Sequence, residues 1–161
     1  MIIRPYTPGD CAEILSLFHE TVHCVNCRDY ATQQLDAWAP AEPDYDRWAA
    51  TLAAHCTLVA REGDVLTGFA DMDMETGYLD RLYVHKDFQR RGTAAGLCDR
   101  LETLARLHGL RRVYTEASIT ACPFFEARGY RVVKEQQKPL RGQLFCNYVM
   151  DKQLERRETH A

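Results

Sequence analysis

The sequence has no run of about eighteen apolar residues, so no part of it is expected to span a membrane. Its opening stretch, Met1 to Tyr6, lacks a basic segment followed by a long apolar core. No secretory signal is therefore expected, and the chain reads as cytoplasmic. Basic residues are not in excess: 20 Lys and Arg stand against 23 Asp and Glu, a net charge of −3. Phosphate contacts supply most of the affinity of a duplex binder, so that balance argues against a nucleic-acid partner. The spacings Gly-x-x-x-x-Gly-Lys and Gly-x-Gly-x-x-Gly are both absent, which excludes a nucleotide P-loop and a dinucleotide fingerprint. Internal repeats, low-complexity segments and linkers are missing too. The 7 cysteines are odd in number and scattered, so they read as reduced thiols rather than a disulfide framework.

What is present is ordinary globular material: 161 residues, 46% hydrophobic and 27% charged. That excludes a disordered or collagen-like chain and suits one compact unit able to bury about two-thirds of its unfolded surface. Ile2-Ile3-Arg4 suggests a first strand, closed by Pro5 and Pro8-Gly9. Asp10 is placed to cap a helix whose apolar positions Ile14, Leu15, Leu17, Phe18 and Val22 recur at helical spacing. Helical stretches follow from Thr32 and over 44–54. Cys56 to Arg61 and Val65 to Met74 form a hairpin around Glu62-Gly63-Asp64. A strand over 78–84 precedes a long helix that opens at Gly92 and stops at Gly109. A strand (112–116), a helix (120–128) and strands over 130–138 and 144–150 complete the chain, with Pro139 and Gly142 marking a loop. The expectation is a mixed α/β domain over 1–154 with a polar tail at 155–161.

The stretch richest in chemistry is Leu82-Tyr83-Val84-His85-Lys86-Asp87-Phe88-Gln89-Arg90-Arg91-Gly92-Thr93-Ala94. A strand ends, a polar loop follows, and two arginines and a glycine open a helix. The first turn of a helix carries unpaired N–H groups and partial positive charge, so it favours an anion. Gly92 lets a ligand approach the backbone, and Thr93, Ala94 and Ala95 keep the next positions small. The dipole contributes about 0.3–1 kcal/mol, and N–H bonds with nearby Arg90 and Arg91 would add charge-assisted contacts. Phosphate or diphosphate is the ligand this chemistry suits. A polar loop with a helix-entry glycine is the plainer alternative.

Gln89-x-x-Gly92-x-Ala94, following Leu82-x-Val84, resembles the acetyl-CoA-binding motif of the GNAT superfamily of N-acetyltransferases. Ser118-Ile119-Thr120-Ala121-Cys122-Pro123-Phe124-Phe125-Glu126-Ala127-Arg128-Gly129-Tyr130 resembles the family's Asn-x-x-Ala-x-x-Phe-Tyr-Glu-x-x-Gly-Phe segment. The order of elements also fits. The resemblance implies a strongly twisted sheet of about seven strands, flanked by helices, whose middle strands splay to admit acetyl-CoA. It further implies pantetheine pairing along Leu82, Tyr83 and Val84, a pyrophosphate on the N–H groups from Arg91 to Ala95, and cofactor contacts at Gln89, Ser118 and Phe125. No metal is implied.

The resemblance also implies roles in acetyl transfer to an amine. Val84 N–H would hold the oxyanion. Asp80, sharing strand parity with Tyr78 and Leu82, would serve as base, with pairing to Arg81 or Arg112, or plain solvation, as its structural alternative. The family's acidic tyrosine is replaced here by Phe125, which donates no proton. Tyr148, Tyr83, Cys122 or water remain as donors. The acceptor would be met by the helical segment after the first strand, through Glu20, His23, Tyr30 and Trp38; Trp38 and Trp48 also read as core. Glu20 is a second carboxylate candidate for the base. Cys24 and Cys27 with His23 invite a zinc reading, but no second pair accompanies them. The expected protein is an acetyl-CoA-dependent N-acetyltransferase, monomeric or homodimeric, acting on a primary amine of a small molecule, peptide or protein. A non-catalytic acyl-CoA-binding module is the alternative.

Overall fold

The computed structural model describes residues 1–155. The tail expected over 155–161 thus lies, apart from Glu155, outside the described residues. Seven strands form one mixed sheet in the order β1-β2-β3-β4-β5-β7-β6. They are β1 (Ile2–Pro5), β2 (Cys56–Glu62), β3 (Val65–Asp73), β4 (Tyr78–Val84), β5 (Arg112–Ser118), β6 (Arg131–Leu140) and β7 (Gln143–Gln153). Helices α1 (Cys11–Cys24), α2 (Thr32–Trp38) and α3 (Tyr45–Ala54) precede β2, while α4 (Thr93–Leu107) and α5 (Cys122–Ala127) flank β5. The element order matches the sequence expectation throughout.

Each face of the sheet has its own core. On one, Leu97, Leu101 and Ala105 of α4 cover Leu58, Ala70, Met72, Leu79, Val113 and Met150, all buried. On the other, Ile14, Phe18 and Val22 of α1, with Leu35 and Leu52, cover Val59, Phe69 and Phe145. Each fully buried leucine or phenylalanine contributes about 1.5–3 kcal/mol of transfer free energy. That clamps the helices to a sheet whose centre is poorly paired.

Three local features depart from expectation. Asp10 does not cap α1 with its side chain. Its carboxylate instead accepts from both terminal nitrogens of Arg4 at 2.8 Å, from Arg61 at 3.0 Å and from Thr7 N–H at 2.9 Å, because it is buried and needs cations. Strands β6 and β7 run through Pro139 and meet at Arg141-Gly142, with φ of 45° and 81°. Two left-handed residues match the twist of a hairpin, and Pro139 is tolerated because β6 is an edge strand. Finally, β4 carries a bulge. Adjacent Asp71 and Met72 face Arg81 and Leu79, leaving Asp80 as the extra residue.

Candidate active site

The middle of the sheet opens where β4 meets β5. These parallel strands pair only at Tyr78–Tyr114 and Leu79–Thr115. Thr115 Oγ1 then donates to Leu79 C=O at 2.8 Å, ending the shared ladder. Beyond that point the strands diverge around a cavity of about 580 Å³, lined by Asp80, Leu82, Tyr83 and Val84 on one side and Glu116, Ala117 and Ser118 on the other.

The free edge of β4 has a defined polarity. His85 N–H donates to Thr67 C=O on β3 at 2.8 Å. N–H directions alternate along a strand, so Tyr83 also faces β3, while Leu82 and Val84 turn their backbone groups into the gap. Val84 C=O, on that open edge, is taken by Thr21 Oγ1 at 3.0 Å and Gln89 Nε2 at 2.7 Å. Gln89 thereby ties the loop to the strand end, a supporting role that the motif alone does not reveal.

At the far end of the gap, Gly92 has φ of 80° and stands just ahead of α4. A Cβ built on it would meet nothing within 4 Å, so the space above the first turn is open. Thr93, Ala94 and Ala95 line the same cavity, as do Arg90 and Arg28. Their N–H groups precede the first intrahelical bond, Gly96 N–H to Gly92 C=O, and are free to meet an anion. Arg91 departs from expectation. Arg90 takes a left-handed φ of 61°, and Arg91 points away to Glu62 at 3.7 Å, its guanidinium over Phe88.

Asp80 shares the face of Tyr78, as strand alternation expects. The bulge breaks the parity expected to link it with Leu82. Leu82 packs against the α4-side core, whereas Tyr78, Asp80 and Arg81 all line the opposite face. Behind Asp80 lies a charged group that sequence reading missed. His55 Nδ1 donates to fully buried Asp71 at 2.8 Å, and Arg81 stands 3.6 Å from Asp71 and 3.9 Å from Asp80. Burial raises the Asp80 pKa, and the nearby Asp71 charge raises it further. The hydrogen bond to Asp71 raises that of His55. Asp71 directly follows the run Gly68-Phe69-Ala70 of a central strand, which was the available signal. Glu116 was also missed. Burial alone would push its carboxyl up, but Lys138 and Gln136 outweigh that and hold it lowered.

Other expected residues are distributed unevenly. Glu20 is exposed on the outer face of α1 and lines neither cavity. His23 Nε2 binds Ala39 C=O at 2.8 Å, fastening the end of α2. Tyr30 is buried, donating to Cys146 C=O at 2.7 Å and accepting from Ile119 N–H at 2.9 Å, and burial pushes its pKa up to about 12. Trp38 lines both this cavity and a second one. Trp48 is half-buried beneath Arg81, whose guanidinium lies 3.9 Å from the ring centroid. Phe125 lines the cleft, while Ser118 Oγ accepts from Ala121 N–H. Tyr148 does not line the cleft. Alternation along β7 sends Phe145 and Asn147 to the cavity side and Tyr148 to the α4 side. Cys122 likewise faces away, its thiol bonded to Glu126 and its pKa pushed up by burial to about 11. Cys24 and Cys27 are exposed free thiols.

Residues 26–152 match the family model described as acetyltransferase (GNAT) domain. The chain belongs to the GNAT acetyltransferase family. A protein named uncharacterized N-acetyltransferase YafP, from Escherichia coli (strain K12), is 35% identical over 148 residues, covering 92% of this chain and 93% of its own length. A GCN5-related N-acetyltransferase structure from Rhodopseudomonas palustris superposes with a TM-score of 0.91 at 34% identity, covering 95% of each chain. The yncA structure from Salmonella typhimurium, solved with its cofactor acetyl-CoA, shares the fold at 23% identity, with a TM-score of 0.66 over 96% of this chain and 94% of that one. In this GNAT domain the splayed strands, the open first turn of α4 and Asp80 line one continuous cavity.

Proposed function

We propose that this chain transfers the acetyl group of acetyl-CoA to a primary amine by direct attack within a ternary complex. The observation carrying this reading is that one cleft joins an open helix N-terminus, an unpaired strand edge and a carboxylate of raised pKa. The diphosphate rests on the N–H groups of Thr93 to Ala95, with Arg90 alongside. Pantetheine adds itself to the free edge of β4 at Leu82, leaving Val84 N–H for the thioester, as an extended peptide adds to a sheet. The yncA structure, which holds acetyl-CoA on the same fold, supports that co-substrate.

An alkylamine with a pKa near about 10.4 arrives protonated and must lose a proton before attack. Asp80 accepts that proton, directly or through one water, and its raised pKa makes it a better base than an exposed carboxylate. The neutral nitrogen attacks the thioester carbonyl, and Val84 N–H holds the developing oxyanion. Collapse forms the amide and expels the CoA thiolate, and the second proton, left on nitrogen by the attack, passes through water to that thiolate because Phe125 has none to give. Seven free thiols suit a reducing, cytoplasmic setting.

The test is release of CoA thiol from acetyl-CoA across a panel of amines, with mass analysis of the amide product. Amine-dependent release supports transfer. Tight acetyl-CoA binding with no release for any amine would replace it with a non-catalytic binding role.

A further inference from the structure

A second cavity of about 280 Å³ adjoins the cleft and shares Trp38, Asp80, Tyr83, Glu116 and Ser118 with it. We propose that this cavity selects a small primary amine borne on a single aromatic ring, with its nitrogen at Asp80 and its ring between Trp38 and Tyr78. The inference rests on the transferase reading above and adds the acceptor class to it.

Shape is the first argument. The cavity lies just below the range of about 300–1,000 Å³ that holds drug-sized ligands, so it suits one ring and a short arm. The walls are the second. Trp38 meets Tyr30, Tyr83 and Phe145 edge-on, with centroids 5.4, 6.4 and 6.1 Å apart. Phe18 packs on Trp48 at 4.7 Å and on Tyr83 at 4.9 Å. This mutual packing fixes the rings before a ligand arrives, so little ordering cost falls on binding. Tyr30 offers only its ring, since its hydroxyl is spent on Ile119 N–H and Cys146 C=O.

Charge is the third argument. The cations of the cavity are already engaged: Lys138 binds Glu116, and Arg81 lies over Trp48 beside Asp71 and Asp80. Neither is free to hold a ligand carboxylate, which disfavours amino-acid acceptors. Among the described residues Asp80 has no side-chain hydrogen bond, the cationic nitrogens of Arg81 and His55 both standing at 3.9 Å. An ammonium group arriving at the shared end supplies that missing partner, and the ring faces add cation–π attraction. An amine entering ring-first therefore presents its nitrogen where the two cavities join, toward the thioester.

The experiment compares 2-phenylethylamine, n-hexylamine, spermidine and phenylalanine as acceptors with the intact enzyme, and follows binding of each by tryptophan fluorescence. Phenylethylamine is expected to exceed the other three in kcat/KM by about tenfold or more, the scale of one or two aromatic contacts. Trp38→Leu is expected to shrink the phenylethylamine-to-hexylamine ratio severalfold, its melting curve reporting whether the fold is kept. Equal or better use of hexylamine, spermidine or phenylalanine overturns the acceptor class and leaves the transferase reading standing. Absence of turnover for every amine overturns the transferase reading instead. In that case preferential binding of phenylethylamine supports the pocket's selectivity, and equal binding of hexylamine overturns it.

Discussion

Asp80 Oδ2 lies 3.9 Å from His55 Nδ1, and that same nitrogen is hydrogen-bonded to the fully buried Asp71. The bulge on β4 leaves Asp80 and Arg81 side by side on the face that carries Tyr78. Three charged neighbours thus surround a carboxylate that is itself half out of water. Asp71 discourages its ionisation, while Arg81 and His55 oppose that effect.

Asp80→Asn should lower kcat by about 10²–10⁴-fold, the usual range for removing a general base, and leave acetyl-CoA affinity within a few-fold. The base form of Asp80 exists above its pKa, and burial raises that pKa. Wild-type kcat/KM should therefore fall with decreasing pH, through a limb above the ordinary aspartate value of about 3.9. In the variant that limb should be missing. Steady-state pH profiles of both proteins check this.

His55 gains its proton affinity mainly from the hydrogen bond to Asp71. A raised folded pKa contributes stability fully present below the unfolded value of about 6.5 and lost as pH rises through the folded one. His55→Asn should thus destabilise the protein more at pH 6 than at pH 9. Urea unfolding at both values measures the difference, and an equal loss at both would mean that the imidazolium is not what Asp71 holds.

Gly68 positions the cradle without touching a ligand. A Cβ there would meet Thr93 Cγ2 at 2.9 Å and Tyr83 C=O at 3.1 Å. Gly68→Ala should push the first turn of α4 off β3, costing about 1–3 kcal/mol as overpacking does. Acetyl-CoA affinity should fall at least severalfold in the same variant. Calorimetric binding and thermal unfolding, run on one preparation, report both effects.

Asp10 tests the fold apart from the site. Its carboxylate is buried and bound by Arg4 and Arg61, which hold its pKa well below the usual range, with Thr7 N–H helping against the cost of burial. Asp10→Ala strips Thr7 N–H and Arg4 of their carboxylate, while Arg61 keeps Glu13, and should cost about 1–3 kcal/mol. A lowered pKa contributes stability present above the unfolded value of about 3.9 and lost as pH falls through the folded value. The wild type should therefore lose stability on acidification faster than the variant, which chemical unfolding at pH 7 and pH 3 measures.

Much of this was legible in the sequence, and the gaps have physical causes. Strand and helix order followed from period and from Gly and Pro punctuation, and Gly92 marked the cradle because an anion site needs backbone approach. Asp80's face followed from its parity with Tyr78, but its parting from Leu82 was not legible, since a bulge leaves no pattern when its neighbours are mixed in polarity. Arg91 was misplaced because two consecutive arginines look alike until the left-handed turn at Arg90 separates them. Tyr148 failed as a cleft residue because one step of register along β7 exchanges the two faces of the sheet. His55, Asp71 and Glu116 come from three separate strands or strand ends, and only tertiary pairing brings them beside Asp80.

The most direct measurement is an isothermal titration of acetyl-CoA into the wild-type chain and into Gly92→Asp. The side chain at 92 would enter the open space above α4 and set a carboxylate where the diphosphate rests. One-to-one saturable binding by the wild type is expected, weakened at least about tenfold in a variant whose circular dichroism is unchanged. Undetectable binding by the wild type, or undiminished affinity in the folded variant, would refute the assignment of the α4 cradle to acetyl-CoA.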